Sequence, residues 1–390
     1  EGTKNVAVGY NSLGAATTSE RNTAIGYGSL SVNTTGDNNT ALGYNALATN
    51  VDGDRNTAIG SGALQTMEPS AGDTYNTAVG FSAGGAVTTG TKNVVVGGLA
   101  LDASDTGSEN TAIGHQALTA DTKGNRNVAV GAGTLGTQNF TTATSVYNVA
   151  VGYNAGNAVT TGVKNTLIGG LAGDALTTNG LNVAVGYGAL STEDTGSRNV
   201  AIGVSALSTQ NADTTNYNVA VGYNSGAGVT TGLQNTLIGS LAGDALTDAD
   251  YNVAVGFQAL TTDTLGSNST AIGREALNNQ NFTTATDSYN TAVGYQSGRS
   301  VTTGISNTIV GGLAGDALTD ADKNVAVGLR ALSGDTLGSK STAIGTDALK
   351  SQNFTTATDT FNVAVGFETG QNITTGLKNT LMGGLAGDAL

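Results

Sequence analysis

The chain has 390 residues, with 15 Lys and Arg against 29 Asp and Glu for a net charge of -14, and 59 Gly beside a single Pro and no Cys. The absence of Cys excludes disulfides and thiol chemistry, and the acidic balance disfavours nucleic acid, whose usual footprint is a basic patch; the Lys and Arg residues are scattered along the sequence without a basic run. Glycine without a three-residue period excludes collagen, and low charge (11%) with β-branched residues at regular positions opposes disorder.

From Asn5 onward the chain repeats Asn-(Val/Thr)-Ala-(Val/Ile)-Gly, 22 times in all, with Ser269 and Ser341 in two of the Asn slots. The usual step is about 17 residues, as from Asn5 to Asn22 to Asn39. Every fourth step is longer, giving super-repeats 5–75, 76–147, 148–217, 218–289, 290–361 and a shortened 362–390. A fixed period of this kind marks a solenoid, in which each unit buries its apolar face only against its neighbours. The expectation is an all-β, parallel β-solenoid (β-roll) of about 22 coils, running as one continuous domain over 1–390 and forming a slice of something longer. Coils stacked about 4.8 Å apart predict a stiff rod about 105 Å long. No stretch of about eighteen apolar residues is present, so no membrane insertion is expected in this segment, and no secretion signal precedes the first repeat.

Within a coil, counting the Asn as position 0, the residue at +1 is Val or Thr and an aliphatic residue follows at +3, as in Val6 and Val8 or Thr111 and Ile113. Alternation predicts a short strand with these two on one face and the Ala at +2 on the other. The Gly at +4, from Gly9 to Gly383, predicts a corner that needs positive φ or close backbone approach. Leu at +8, as in Leu30, Leu47 and Leu118, predicts the second wall of the core and a second short strand. In the coils starting at Asn76, Asn148, Asn218, Asn290 and Asn362 that Leu becomes Gly, the apolar residue moves to +11, and the next coil carries a bulky residue at +2 together with Leu99, Leu171, Leu241, Leu313 or Leu385. Neighbouring layers are expected to trade volume in this way. The recurring Asn predicts an amide ladder at equivalent corners, with Ser269 and Ser341 preserving a weaker version.

The long coils carry inserts such as Gln138-Asn139-Phe140, Gln280-Asn281-Phe282 and Gln352-Asn353-Phe354. Insertions in a solenoid emerge on one side and can form a binding face, so Asn139, Phe140, Asn281, Phe282, Asn353 and Phe354 are candidate receptor-contact residues toward a glycan. The alternative is that each Phe tucks back onto the roll, with Tyr75, Tyr147, Tyr217, Tyr289 and Phe361 covering the same edge. Asp121, Glu193, Asp263 and Asp335 also recur, as do Asp174, Asp244, Asp316 and Asp388. One or two oxygens per layer cannot fill the six to eight positions of a hard cation, so these read as solvated turn residues. His115 stands alone in a variable slot, and no acidic pair stands out as a glycosidase dyad. No catalytic residue, metal or cofactor is expected.

Each coil offers few large apolar side chains, and a thin roll buries little surface alone. Identical chains are therefore expected to pack along their length through the small-residue or Leu face, with cyclic symmetry. Units such as Asn22-Thr-Ala-Ile-Gly-Tyr-Gly-Ser-Leu30 and Asn39-Thr-Ala-Leu-Gly-Tyr-Asn-Ala-Leu47 resemble the head repeats of YadA-type trimeric autotransporter adhesins, and more closely the repeats of bacteriophage tail-fibre proteins. The resemblance implies a homotrimeric β-roll, extracellular, serving as the structural shaft of a tail fibre or similar virion appendage that supports host attachment. The alternative it leaves is the head of a bacterial surface adhesin whose side binds a host glycan or protein. The adhesin head repeat is shorter, and neither a membrane barrel nor a terminal chaperone is present in the sequence.

Overall fold

A computed structural model describes residues 2–69 and 72–389. It is an all-β parallel solenoid of about 22 turns, and among the described residues it holds 22 three-residue strands, eight two-residue strands and no helix. The chain divides into two compact units, Glu1–Ser197 and Arg198–Leu390. The first carries eleven of the three-residue strands, Val6–Val8 to Val183–Val185, and the second carries eleven, Val200–Ile202 to Thr380–Met382.

Every one of these strands occupies +1 to +3 of its repeat. Within each unit neighbours pair in parallel and in register, so that Val6, Ala7 and Val8 lie against Thr23, Ala24 and Ile25, and Val219, Ala220 and Val221 against Thr236, Leu237 and Ile238. Among the described residues the expected second strand is absent from most coils. Two-residue strands occur only around the longer connections, as Gly124–Asn125 paired with Thr144–Ser145 and Gly266–Ser267 with Thr286–Asp287. Elsewhere the returning chain is a series of turns, each bonded to the next coil, as where Leu30 N–H donates to Ala46 O at 3.1 Å.

The core is lined by the small residue of the strand. Ala24, Ala41, Ala129 and Ala254 are fully buried, as are Leu30, Leu47, Leu118 and Leu260 at +8. The β-branched pair at +1 and +3 points outward, half-buried or exposed, with Val8, Leu42, Ile113 and Ile202 among the exposed residues. In the common coils the Leu at +8 lies buried opposite the strand Ala, while coils with Leu at +2 bury a second Leu, as Leu167 with Leu176. The small-residue and Leu face is therefore the interior of each chain and is not open to a neighbouring copy. Each buried Leu contributes about 1.5–3 kcal/mol relative to exposure.

The volume trade between layers takes place, with one change of residue. A Cβ on Gly156 would lie 2.6 Å from Leu167 Cδ1 and 3.0 Å from Leu135 Cδ2, because the bulky residue of the next coil fills the space that the missing Leu leaves. Gly226 stands in the same relation to Leu237. The second core residue of the bulky coil is Leu176, Leu246 or Leu318. Leu171, Leu241 and Leu313 are only half-buried.

The corner glycines have φ near +131 to +143 through Gly366, and a Cβ on Gly97 would stand 2.4 Å from Gly114 O in the next coil. Both the dihedral and the stacking distance exclude a side chain. The Asn ladder performs two tasks. Asn93 Nδ2 donates to Gly107 O (2.9 Å), closing its own coil, and its Oδ1 accepts from Asn110 N–H (2.9 Å), tying down the next. The same pair of bonds recurs at Asn235, through Ala249 O and Asn252 N–H.

Candidate functional surfaces

The inserts are pinned to the roll by buried carboxylates. Asp121 Oδ1 accepts from Gly124 N–H (3.0 Å) and Phe140 N–H (3.2 Å), and its Oδ2 accepts from Gln138 Nε2 (2.6 Å). Gln138 Oε1 in turn accepts from Asn148 Nδ2 at 2.8 Å, joining the insert to the Asn ladder. Asp263 and Asp335 hold Gln280 and Phe282, and Gln352 and Phe354, in the same way. Asp121, Glu193, Asp263 and Asp335 are thus buried, which corrects the expectation of solvated turn residues. Sequence reasoning missed this because the carboxylate and the amide that meets it are far apart along the chain, yet only one coil apart in space. Burial pushes the Asp121 carboxyl up from its usual range, against hydrogen bonds that pull it down. Ser269 and Ser341 fit the same scheme, since Gln280 and Gln352 donate to their hydroxyls at 2.7 and 2.8 Å.

Phe140, Phe282 and Phe354 are buried, with 5–7% exposure. They tuck back onto the roll and present no ring to a receptor. Asn139 and Asn353 are exposed and Asn281 half-buried, yet each side-chain oxygen accepts from the hydroxyl of Thr122, Thr336 or Thr264 in the preceding coil. Among the described residues no three His, Asp or Glu side chains stand together as a metal site. His115 is exposed.

Two outward surfaces remain. One is formed by +1, +3 and +5. Position +5 follows the corner Gly and is aromatic in six of the eleven coils of the first unit, Tyr10, Tyr27, Tyr44, Phe81, Tyr153 and Tyr187, all more than half exposed, with Ser61, Gly98, His115, Ala132 and Gly170 in the others. Tyr10, Tyr27 and Tyr44 stack ring on ring at 5.1 and 5.4 Å. Positions +1 and +3 hold no charged residue in any coil.

The other surface is the residue before each Asn, position -1. Here the cations that are scattered along the sequence fall into line. Lys4, Arg21, Arg55, Lys92, Arg126 and Lys164 occupy this column in the first unit, and Arg198, Lys323, Lys340 and Lys378 in the second. That is ten of the 15 Lys and Arg, with Glu109 the one acid in the column. Tyr75 and Tyr147 interleave in the first unit, and Tyr217, Tyr251, Tyr289 and Phe361 in the second, every ring 48–60% exposed. These rings do not cover the roll's edge as one reading of the sequence had it. Arg55 lies over Tyr75 at 5.5 Å, Arg126 over Tyr147 at 5.6 Å and Arg198 over Tyr217 at 5.5 Å. Arg126 Nε donates to Glu109 at 2.8 Å and holds that carboxyl below its usual range. Arg55 pairs with Asp73 and Lys340 with Asp359.

No protein-family model and no curated protein matches the chain. The resemblance to adhesin-head and tail-fibre repeats accordingly rests on the repeat residues themselves.

Proposed function

We propose that this chain is a structural fibre segment, the shaft of a bacteriophage tail fibre or related virion appendage, built from three parallel copies. The observation that carries the reading is the outward face at +1 and +3, uncharged in every coil, with an exposed aromatic beside it at +5 in ten of the 22 coils. Scattered surface apolar residues are ordinary, but a continuous stripe marks an interaction surface. A second copy in parallel register presents the same residue types at the same pitch, so each layer of one chain meets a matching layer of the next. Cyclic closure then covers the stripe on every copy. The face differs from the one expected from sequence, since the Ala and Leu side is already filled.

The function so read is mechanical and extracellular: it holds an attachment tip away from the particle. Native mass spectrometry or sedimentation equilibrium of the full chain tests the assembly, with a mass three times 38.4 kDa expected. A well-folded monomer at micromolar concentration refutes it. Electron microscopy of the native object tests the setting, since rods projecting from cells instead of virions would favour the adhesin head.

A further inference from the structure

We infer that within each unit the column at position -1 is a binding track for a linear acidic polysaccharide, one carrying carboxylates or sulfates at intervals along an extended sugar chain. The inference goes beyond the fibre reading and uses only surfaces that a single chain displays.

Its first support is conformational. Every member of the column, from Lys4 to Lys378, has φ between +50 and +66. A non-Gly residue in the left-handed region costs on the order of 1 kcal/mol, and Gly is the usual answer. The chain has 59 Gly and places one at +4 of every coil, but at -1 it never does so. All the side chains of the column except Asn268, Ser306 and Lys340 are exposed, so packing does not explain their retention. The fold would accept Gly at this position, and the sequence keeps long cationic and aromatic side chains there.

The second support is spacing. In the first unit Arg21, Arg55, Lys92, Arg126 and Lys164 fall on every second coil, about 10 Å apart for strands stacked at about 4.8 Å. Duplex DNA presents a phosphate about every 3.4 Å along each strand, far denser than these cations, and the net charge of -14 repels so dense a polyanion. A sugar chain with one anion per pair of rings is the sparser ligand that the column matches. Between the cations, Tyr75 and Tyr147 supply apolar ring surface with hydrogen-bonding groups beside it, as where the Tyr75 hydroxyl donates to Asp73 at 2.9 Å. This combination suits a pyranose, which has an apolar face and a hydroxyl rim. Lys92, Lys164, Lys323 and Lys378 make no ion pair within 4.0 Å among the described residues, although the Lys92 charge also acts on the Glu109 carboxyl of the next coil.

The test is binding of the full chain to hyaluronan and alginate, with dextran and a single-stranded oligothymidylate as comparisons, by affinity electrophoresis or calorimetry. The expected result is retention by at least one acidic glycan, weakened by salt, and little by dextran or oligothymidylate. Lys92→Gly, Lys164→Gly, Lys323→Gly and Lys378→Gly combined should weaken glycan binding at least tenfold while leaving the melting midpoint unchanged or raised. Tyr75→Ser with Tyr147→Ser should weaken it without altering net charge. Failure of the unaltered chain to bind either acidic glycan, tighter binding of the oligonucleotide, or undiminished binding by the four-Gly variant overturns the proposal. A lowered melting midpoint in that variant does so as well, because it would assign the lysines to the fold. Sedimentation of the same samples reports self-association separately, so loss of glycan binding and loss of the trimer are distinguishable.

Discussion

Asn93→Ala should cost about 2–6 kcal/mol and Ser269→Ala only about 1 kcal/mol, although both residues fill the same slot of the repeat. Removing the Asn93 amide strands two buried backbone groups, Gly107 O and Asn110 N–H, each of which has Asn93 as its partner. A buried polar group left without a partner costs about 1–3 kcal/mol. At Ser269 the neighbours keep second partners: Gln280 Nε2 still donates to Asp263 at 2.6 Å, and the Ser288 hydroxyl to Ser267 O at 3.2 Å. The loss is then that of an ordinary hydrogen bond, about 1 kcal/mol. Because a solenoid can open coil by coil, a global melting midpoint blurs such a difference. Native-state hydrogen exchange resolves it through the Val94 and Thr111 amides, which bridge to Asn110 O and Asn127 O. Their protection should fall about 30-fold or more in Asn93→Ala. Equal effects of the two substitutions, or a loss below about 1 kcal/mol at Asn93, would refute the double role assigned to the Asn.

Adjacent glycines should respond in opposite ways. Gly97→Ala forces a Cβ to 2.4 Å from Gly114 O at φ +138, whereas the nearest atom to a Cβ on Gly98 is 3.8 Å away; the first should abolish soluble protein and the second leave the circular dichroism spectrum and midpoint intact. Phe354→Ser should act on stability, costing about 3–5 kcal/mol as a large-to-small change at a buried aromatic, and should leave glycan binding at the -1 column unaltered once the chain is folded; a stable variant that loses binding would return the insert to candidacy as a contact site. The Asp121 carboxyl is pushed above its ordinary value of 3.8 by burial. The folded state therefore binds that proton more tightly than the unfolded chain, and the group's contribution is fully present below 3.8 and lost as pH rises through the folded value. A carbon-detected NMR titration should place the Asp121 midpoint above 3.8, and a midpoint at or below it would contradict the burial argument.

The insert shows where legibility ended. Gln138, Phe140 and Asp121 each signal a loop when read singly, and only the stacking of coils reveals that the carboxylate of one coil receives the amide of the next. The cations likewise look dispersed because one or more whole coils separate successive members of the column, and a shared position relative to the Asn becomes a line only once the coils are superposed.

The sequence by itself determined the period, the number of coils, the glycine corner, the Leu wall and the four-coil rhythm, because each is a local requirement repeated at fixed spacing. Only the tertiary structure decided which face of the strand is inside. Alternation states that Val and Ile share a side opposite Ala, but whether that side meets core or solvent depends on which way the chain turns after the strand, and here the coil closes over the Ala with the Leu at +8 buried beside it. It also decided that the residue before every Asn adopts left-handed backbone. Nothing in Lys, Arg or Tyr announces that conformation, which the return of the chain from one layer to the next imposes.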